Sequence, residues 1–238
     1  MNKSRVRKKE KRFVVSGKRE LRRAVEMGYT IDTLFYIEGY DGELVYDHSD
    51  GLFELSPKLF DRISLRSGSD EVIAILEAKS HQIKDILINN DSRILVVEAP
   101  EKPGNIGAIL RTAAAAGWDG VIIANPKTDL YHPQIIRNSM GGVFSIPIAT
   151  DSTEEVLSFL EKNTFHISAA ALDHRAKHFQ RVKYEKPLAL VFGAEDKGLD
   201  SKWLKKAHQI VKIPVKFPID SLNLSVSAGI LMYHCGNQ

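Results

Sequence analysis

The stretch RILVVEAPEKPGNIGAILRTAAAAG, residues 93–117, contains the unit from which the fold is built. It starts with an apolar run, RILVVEA, in which apolar and polar residues hardly alternate. A polar loop with proline and glycine comes next, and a helix-forming segment rich in small residues follows. A strand without alternation is typical of a parallel sheet covered on both faces. The stretch therefore predicts a strand–loop–helix unit of an α/β domain.

Four more apolar runs of this kind follow along the chain, most of them separated by helical stretches: GVIIA, HISAAAL, LALVFGA and HQIVKIP. This pattern predicts a doubly wound α/β domain with a parallel sheet over residues 92–238. Ligands on such sheets bind beyond the carboxyl ends of the strands. Three polar, glycine-bearing segments lie at such ends and are the candidate binding segments: EAPEKPGNIGAILR, FGAEDKGLD and IPVKFPIDSLNLS.

The first third of the chain predicts a smaller α/β unit that begins near Phe13. KRELRRAVEMG and SPKLFDRIS have helical patterns, the second starting at Ser56-Pro57, whereas IDTLFYIEG and DEVIAILEA are strand candidates. HQIKDILINNDS predicts a short amphipathic helix between the two units. We therefore divide the chain into an N-terminal domain over residues 1–80, a linker over 81–91 and a C-terminal domain over 92–238.

Composition narrows the class of protein. Of the 238 residues, 43% are hydrophobic and 26% are charged, as in soluble globular proteins. No apolar run approaches the roughly 20 residues that span a bilayer, and no apolar signal core follows the basic N-terminus. Cys235, the single cysteine, cannot form an internal disulfide, and no neighbouring base suggests a nucleophilic role for it. We expect a cytoplasmic protein that does not enter a membrane.

The positive charge is concentrated at the start of the chain. Residues 1–23 carry eleven Lys and Arg against two Glu, a net +9, whereas the whole chain has +3 and the remainder therefore −6. Such a basic leader can neutralise phosphates and gain affinity from counterion release. It can also be a solvated, disordered terminus, and both interpretations remain open.

Each candidate segment has an ordinary interpretation when taken alone. Asn105 and Arg111 lie six positions apart, about 600° of helical rotation, so they point apart unless Asn105 precedes the helix. They could be a helix cap and a solvated arginine. Glu195 could be a turn residue. Its segment has neither a P-loop nor a dinucleotide fingerprint, and this disfavours nucleotide triphosphate binding. The polar residues Ser221, Asn223, Ser225 and Ser227 before the last helix exceed what one cap requires.

In order and spacing, however, the three segments resemble the signature motifs of the SpoU-type RNA ribose methyltransferases of the SPOUT superfamily. NIGAILR matches the first motif, Asn-x-x-Gly-x-x-x-Arg, LVFGAEDKGL the second, and IPVKFPIDSLNLSVSAGI the third. RNSMGGVFSIPI, from Arg137 to Ile148, is similar to the segment that links the motifs in this family. The resemblance covers about residues 92–238.

The resemblance implies a SPOUT domain with a deep C-terminal trefoil knot, S-adenosylmethionine bent inside the knot, and a homodimer. It implies cofactor contacts at Gly193, Ile213 and Leu222. By the same resemblance the catalytic candidates are Asn105, Arg111, Glu195, Asn223 and Ser225, and the RNA-binding candidates are Arg137 and Asn138. The N-terminal domain is similar to the small RNA-binding domain, related to a ribosomal protein, that many of these enzymes carry.

The expected function is methyl transfer to a ribose 2′-hydroxyl, with ribosomal RNA favoured over transfer RNA. Three alternatives stay open: a transfer RNA methyltransferase, a non-catalytic RNA-binding or assembly factor on the same fold, and a nucleotide-dependent enzyme for a small metabolite. Protection of the ribosome from an antibiotic is a further possibility within the leading class.

Two smaller expectations concern the rim of the pocket and metal binding. Phe217 and Pro218 stand where the third motif often has a glycine, so we expect them to narrow or reshape the rim of the pocket. His174 and His178 lie four positions apart, but their surroundings are basic and no third ligand is evident, so no metal is expected.

Overall fold

The computed structural model describes residues 3–41, 51–65 and 70–236. The helices are α1 (Ser4–Glu10), α2 (Lys18–Glu26), α3 (Pro57–Ile63), α4 (Pro103–Ala115), α5 (Pro133–Ser139), α6 (Gly142–Ser145), α7 (Thr153–Lys162), α8 (Ser201–Lys206) and α9 (Leu224–Gly236). The strands are β1 (Arg12–Ser16), β2 (Ile31–Ile37), β3 (Leu52–Leu55), β4 (Val72–Glu77), β5 (Arg93–Glu98), β6 (Gly120–Ala124), β7 (Ile148–Asp151), β8 (His166–Ala170), β9 (Lys177–His178), β10 (Leu188–Phe192) and β11 (Gln209–Lys212).

The C-terminal strands form one seven-stranded sheet in the order β7-β6-β5-β10-β8-β11-β9, and every pair in it is parallel. Successive side chains of β5 face opposite sides. Leu95 and Val97 pack in the core that contains residues of α4 and α9, whereas Ile94 and Val96 pack with those of α7 and α8. Burial on both faces explains the apolar runs without alternation. The predicted parallel α/β sheet is confirmed.

A second sheet belongs to the N-terminal unit, with the order β1-β4-β2-β3. β4 is antiparallel to both β1 and β2, and β3 is parallel to β2. The elements α2, α3, β2 and β4 coincide with the predicted ones. Three further elements were not predicted: α1, β1 and β3.

The basic leader is held against the C-terminal unit. Arg7 of α1 is only 4% exposed, and its Nε donates to Asp129 Oδ1 at 2.9 Å. Burial works to raise the pKa of Asp129, but the hydrogen bond and charge of Arg7 outweigh it and hold this pKa below its usual range. The alternative of a disordered leader is therefore wrong for α1, because a buried ion pair fixes it to the rest of the molecule.

The predicted helix in HQIKDILINNDS is also wrong, since only Ile83–Asp85 form a single 3-10 turn. The backbone beside this turn bonds to the sheet instead, because Thr150 N–H of β7 donates to the His81 carbonyl at 3.0 Å. Leu87, which would have belonged to the apolar face of the helix, is 88% exposed. Pairing with an edge strand thus replaces the helix.

Four aromatic residues from the two units form what we call the aromatic seam: Phe13, Tyr29, Tyr131 and Phe144. The rings of Phe13 and Tyr131 stack with centroids 4.0 Å apart, and Tyr29 meets Phe144 edge-on at 5.1 Å. All four side chains are buried. Because aromatic pairs add to the free energy gained from burying apolar area, the seam fixes the N-terminal unit on the C-terminal one.

His81 lies at the edge of this seam. Its Nε2 is 2.9 Å from Tyr131 Oη, and its Nδ1 is 3.2 Å from the Ile148 carbonyl oxygen. A carbonyl can only accept, so Nδ1 carries the proton and Nε2 accepts from Tyr131. Burial lowers the pKa of His81 below its ordinary value, and the nearby charge of Lys79 adds to this effect.

We expect acid to destabilise the protein through His81. A lowered pKa in the folded state means that the unfolded chain binds the proton more readily, so this contribution is complete above pH about 6.5 and is lost as the pH falls towards the folded-state pKa. Urea unfolding between pH 8 and pH 5 measures the loss. His81→Gln should flatten the pH dependence of the free energy of unfolding. His174→Gln should not, because the His174 side chain is 87% exposed. Equal slopes for His81→Gln and the wild type would contradict this assignment.

Candidate active site

A cavity of about 630 Å³ opens at the carboxyl ends of β8, β10 and β11, which are neighbours in the sheet. Its walls include residues 170–172, 192–199, 211–213, 215 and 220–224, and Lys102 of the first candidate segment. Gly193, Ile213 and Leu222 all line it. The three candidate segments therefore meet at one edge of the sheet. The wall after β8 was missed, because Ala170, Ala171 and Leu172 carry no chemical signal.

Gly193 allows the loop after β10 to fold back tightly on the strand. A Cβ atom at this position would lie 2.1 Å from the Gly198 carbonyl carbon and 2.3 Å from Leu199 N, so no side chain fits. The N–H groups of Ala194 and Gly198 each donate to the other's carbonyl, at 3.1 and 3.0 Å. This closed loop presents Glu195 at the tip of the strand.

Four polar residues form what we call the polar chain, in the order Glu195, Asn105, Asn223 and Ser225. Asn105 Nδ2 donates to Glu195 Oε1 at 2.8 Å, and Asn223 Nδ2 donates to Asn105 Oδ1 at 3.1 Å. The hydroxyl and backbone N–H of Ser225 both donate to Asn223 Oδ1, at 2.7 and 2.9 Å. Residues from all three segments are thus joined beside the cavity.

The polar chain also explains why so many polar residues precede and begin the last helix. Asn223 caps α9 through the Ser225 N–H and at the same time binds Asn105, which is 118 positions away. Ser221 and Ser227 line the cavity. One cap is therefore present, Ser221 and Ser227 face the pocket, and Ser225 is bonded to Asn223.

Glu195 is an acceptor in this arrangement. Burial works to raise its pKa, but the hydrogen bonds from the Asn105 amide and the Glu101 N–H outweigh burial and lower that pKa. The carboxylate is consequently ionised at neutral pH and fixes which end of the Asn105 amide donates. Asn105 is only 8% exposed, so its orientation is firmly held.

Arg111 is not part of the polar chain. Asn105 lies in the first turn of α4 rather than in the preceding loop, so the two side chains point in different directions from the helix. Arg111 is exposed and makes no ion pair or hydrogen bond to any part of the chain that the structure describes. The neighbouring residue Thr112 faces Gly229 of α9. The backbone of Arg111 itself packs on α6, since its Cα is 3.0 Å from where a Cβ of Gly142 would be, and its side chain lies apart from that of Asn105.

The RNA-binding candidates lie on α5, which packs against α4. Asn138 covers the first turns of α4: its Nδ2 is 3.1 Å from where a Cβ of Gly104 would be, and its Cβ is 2.7 Å from that of Gly107. Both Arg137 and Asn138 are exposed. These two residues are therefore close to Asn105 along α4, but outside the polar chain.

Phe217 and Pro218 do not narrow the pocket. Neither is among the residues that line the cavity, and Phe217 is 96% exposed. The loop between Ile213 and Ser221 turns this side chain outwards into solvent, which is why the expectation of a narrowed rim is wrong.

The other reactive side chains, those of Cys235, His174 and His178, do not line the cavity. Burial raises the pKa of Cys235 to about 12, so its thiol is a poor nucleophile. His178 lies in β9 and not on a helix, so its spacing from His174 does not place the two rings on one helical face. Within residues 3–41, 51–65 and 70–236 no group of three or more metal-ligating side chains occurs. None of the helices in these ranges has the length and apolar content needed to cross a membrane.

The sequence matches two family models. The SpoU rRNA methylase family matches residues 92–233, and the MRM3-like substrate binding domain matches residues 1–74. The boundaries of these matches leave out the segment that contains the 3-10 turn.

The known proteins to which this chain is similar include the following three. The 23S rRNA (uridine(2479)-2′-O)-methyltransferase of Streptomyces viridochromogenes is 28% identical over 95% of this chain and 83% of its own length. The 23S rRNA (guanosine(2553)-2′-O)-methyltransferase RlmP of Bacillus subtilis is 30% identical over 60% of this chain and 57% of its own length. The crystal structure of an AdoMet-bound rRNA methyltransferase from Sinorhizobium meliloti superposes with a TM-score of 0.89 at 27% identity, covering 99% of this chain and 91% of that one.

The family model spans more than half of the chain, and it includes every residue of the polar chain and Arg111. The parallel sheet, the cavity at its carboxyl edge and the three joined segments agree with that match. The chain belongs to the SpoU rRNA methylase family.

Proposed function

We propose that this protein transfers a methyl group from S-adenosylmethionine to a ribose 2′-hydroxyl of ribosomal RNA. The observation that carries the proposal is the polar chain, in which Asn105 joins Glu195 and Asn223, two residues that line a cavity large enough for a nucleoside cofactor. The relatives that act on 23S rRNA support ribosomal over transfer RNA. An assembly factor without activity would have no need to keep this chain of hydrogen bonds complete.

The cavity fits S-adenosylmethionine in size and chemistry. Its walls combine apolar side chains, such as Phe192 and Leu231, with backbone from the loops after β10 and β11. Gly193, Ile213 and Leu222 would hold the cofactor, largely through backbone groups. When bound, the cofactor supplies a methyl group already activated as a sulfonium.

The chain's own residues would then position the ribose. Asn223 lines the cavity and Ser225 is bonded to it, so the two could align a hydroxyl of the sugar with the methyl group. Asn105 and Glu195 hold Asn223 in place, so we assign them as positioning residues. A 2′-hydroxyl is a weak acid, and Arg111 would bind the adjacent phosphate and assist loss of the proton.

We infer that the active protein is a homodimer with α9 in its interface. Val226, Ile230 and Tyr233 follow one another at helical spacing and are 50%, 37% and 52% exposed, whereas the opposite face of α9 is buried. A helix that is apolar all round is normally covered on all sides. Arg111 lies next to this exposed stripe and points away from its own polar chain, so we place it at the cavity of the partner protomer.

The family implies that the C-terminal segment is threaded through a loop to form a deep trefoil knot. We retain the division into an RNA-binding domain over 1–80, a linker over 81–91 and a methyltransferase domain over 92–238. The site as proposed needs no metal ion, and a cytoplasmic location fits a ribosomal substrate.

The proposal is tested with radiolabelled S-adenosylmethionine and unmodified 23S rRNA, followed by mapping of ribose methylation. We expect label in one ribose when wild-type protein is used. Gly193→Ala should abolish cofactor binding and transfer, because its Cβ forces the loop at Gly198 open. Gly229→Ala is the matched control, since the nearest atom to its Cβ would be 3.7 Å away. Cofactor binding without any transfer to ribosomal RNA would refute the proposed substrate.

A further inference from the structure

A second cavity, of about 270 Å³, lies between the two units and is lined by Arg19 from one and Arg137 from the other. We call it the interdomain cleft. Its walls are contributed by β1, by the first turn of α2, by Leu65 and Asp70, and by α5 of the methylase domain. The cleft is separate from the first cavity, with which it shares no lining residue.

The cleft is lined by apolar side chains and by polar groups of both signs. Val14, Leu65, Pro133 and Ile136 supply the apolar surface, and Arg19, Arg137 and Gln134 supply N–H donors. This combination suits a planar ring that is sandwiched between apolar groups and hydrogen-bonded at its edge. The exposed guanidinium of Arg137 is suited to the phosphate attached to such a ring.

The acceptors in the cleft are two carboxylates that come close together beside Gly17. A Cβ on Gly17 would be 3.2 Å from Glu20 Oε2 and 3.5 Å from Asp70 Oδ1. The other oxygen of each group is already bonded: Glu20 Oε1 accepts from Arg19 at 2.6 Å, and Asp70 Oδ2 accepts from the Ser16 hydroxyl at 2.6 Å. Glu20 is only 8% exposed. Among the residues that the structure describes, none donates to the remaining oxygen of either carboxylate, so one oxygen of each can accept from a ligand.

From these contacts we infer that the interdomain cleft binds one unpaired nucleotide of the RNA, and that its base carries an exocyclic amino group. A carboxylate accepts from an amino group, whereas the carbonyl that uracil presents in the equivalent place would be repelled. Asp70 reads the base, and Arg137 holds the phosphate. This inference rests on the proposed function, because it assigns a second contact to the same RNA.

The cleft and the polar chain are connected through one pair of packed helices. Arg137 lines the cleft from α5, and the next residue, Asn138, covers Gly104 and Gly107 on either side of Asn105. The seam and the Arg7–Asp129 pair fix the N-terminal unit relative to α5. A nucleotide bound in the cleft would therefore set the register of the RNA with respect to the methylated ribose.

The test measures binding of two fluorescein-labelled hexaribonucleotides, one of cytidine and one of uridine, by anisotropy without S-adenosylmethionine. Cytosine and uracil differ mainly in the group that Asp70 would read. We expect wild-type protein to bind the cytidine probe about tenfold more tightly. Asp70→Asn should remove this preference, because an amide can also donate a hydrogen bond. Arg137→Gln should lower the affinity for both probes by the same factor.

Lys8→Gln is the matched control, because Lys8 is an exposed cation of α1 outside the cleft and its loss should leave the ratio of the two affinities unchanged. Hydrogen–deuterium exchange of the wild-type protein tests the site without a variant, and the cytidine probe should protect α5. Equal wild-type affinities, an unchanged ratio in a folded Asp70→Asn protein, or absence of protection in α5 would each overturn the inference. Methyl transfer is not measured in this assay, so its failure would leave the proposed function intact.

Discussion

Replacement of Arg111 by alanine is expected to lower the rate of methyl transfer by about 10²–10⁴-fold, the usual contribution of a group that assists proton transfer. The affinity for S-adenosylmethionine should not change, because Arg111 does not line the cavity. Its side chain is exposed, so the variant should fold normally. Arg111→Lys should recover little, because an ammonium cannot grip a phosphate with two parallel hydrogen bonds.

Single-turnover kinetics with saturating RNA, together with calorimetric titration of the cofactor, separate these effects. Lys162→Ala is the matched control, since Lys162 is an exposed cation at the end of α7, on the opposite face of the sheet from α4. Unchanged turnover in Arg111→Ala would remove this residue from the mechanism.

Mixing two inactive variants tests whether Arg111 acts across the dimer. A mixed dimer of Arg111→Ala and Asn223→Ala contains one complete site if Arg111 belongs to the cavity of the partner. If Arg111 serves its own cavity, both sites of that dimer carry a defect. We expect turnover well above that of either variant alone, and no recovery would assign Arg111 to its own chain.

A charge in the exposed stripe of α9 is expected to have an effect of the same size. Ile230→Glu would bury an unpaired carboxylate in the proposed interface, which costs several kcal/mol. The dimer should dissociate, and because Arg111 would then be absent from the neighbouring cavity, turnover should fall about as far as in Arg111→Ala. Light scattering gives the mass of the particle, and the transfer assay gives its activity.

Leu87→Glu provides the comparison, because it places the same charge on an apolar side chain that is 88% exposed in the linker. It should remain dimeric and active. A monomeric wild-type protein, or an Ile230→Glu protein that dissociates yet keeps full turnover, would contradict the shared site.

The strands could be predicted from local sequence where successive residues are all buried. The runs that became β5, β6, β8, β10 and β11 are apolar on both faces, and each lies where it was predicted. α1 and the segment with the 3-10 turn were not predictable in this way, because distant partners determine their structure. Arg7 is ordered by Asp129, which is 122 positions away, and the backbone at His81 is held by β7.

The sequence predicted which segments form the candidate site, but not how their side chains are arranged. Parallel strands end at one edge of a sheet, so three polar segments after such strands had to come near one another. The spacing of Asn105 and Arg111 also indicated that they diverge on a helix. The cap function of Asn223, the outward position of Phe217 and the interdomain cleft depend on loops whose paths carry no periodic signal.

The sequence by itself therefore determined the parallel sheet, the edge at which the binding segments lie and the family to which they belong, because strand burial and motif order are local properties of the chain. Only the tertiary structure decided that Asn105 binds both Glu195 and Asn223, 90 and 118 positions away, while Arg111 is turned from them. A hydrogen bond requires its two heavy atoms to lie about 3 Å apart. For residues far apart in sequence, only the tertiary fold determines which groups come that close.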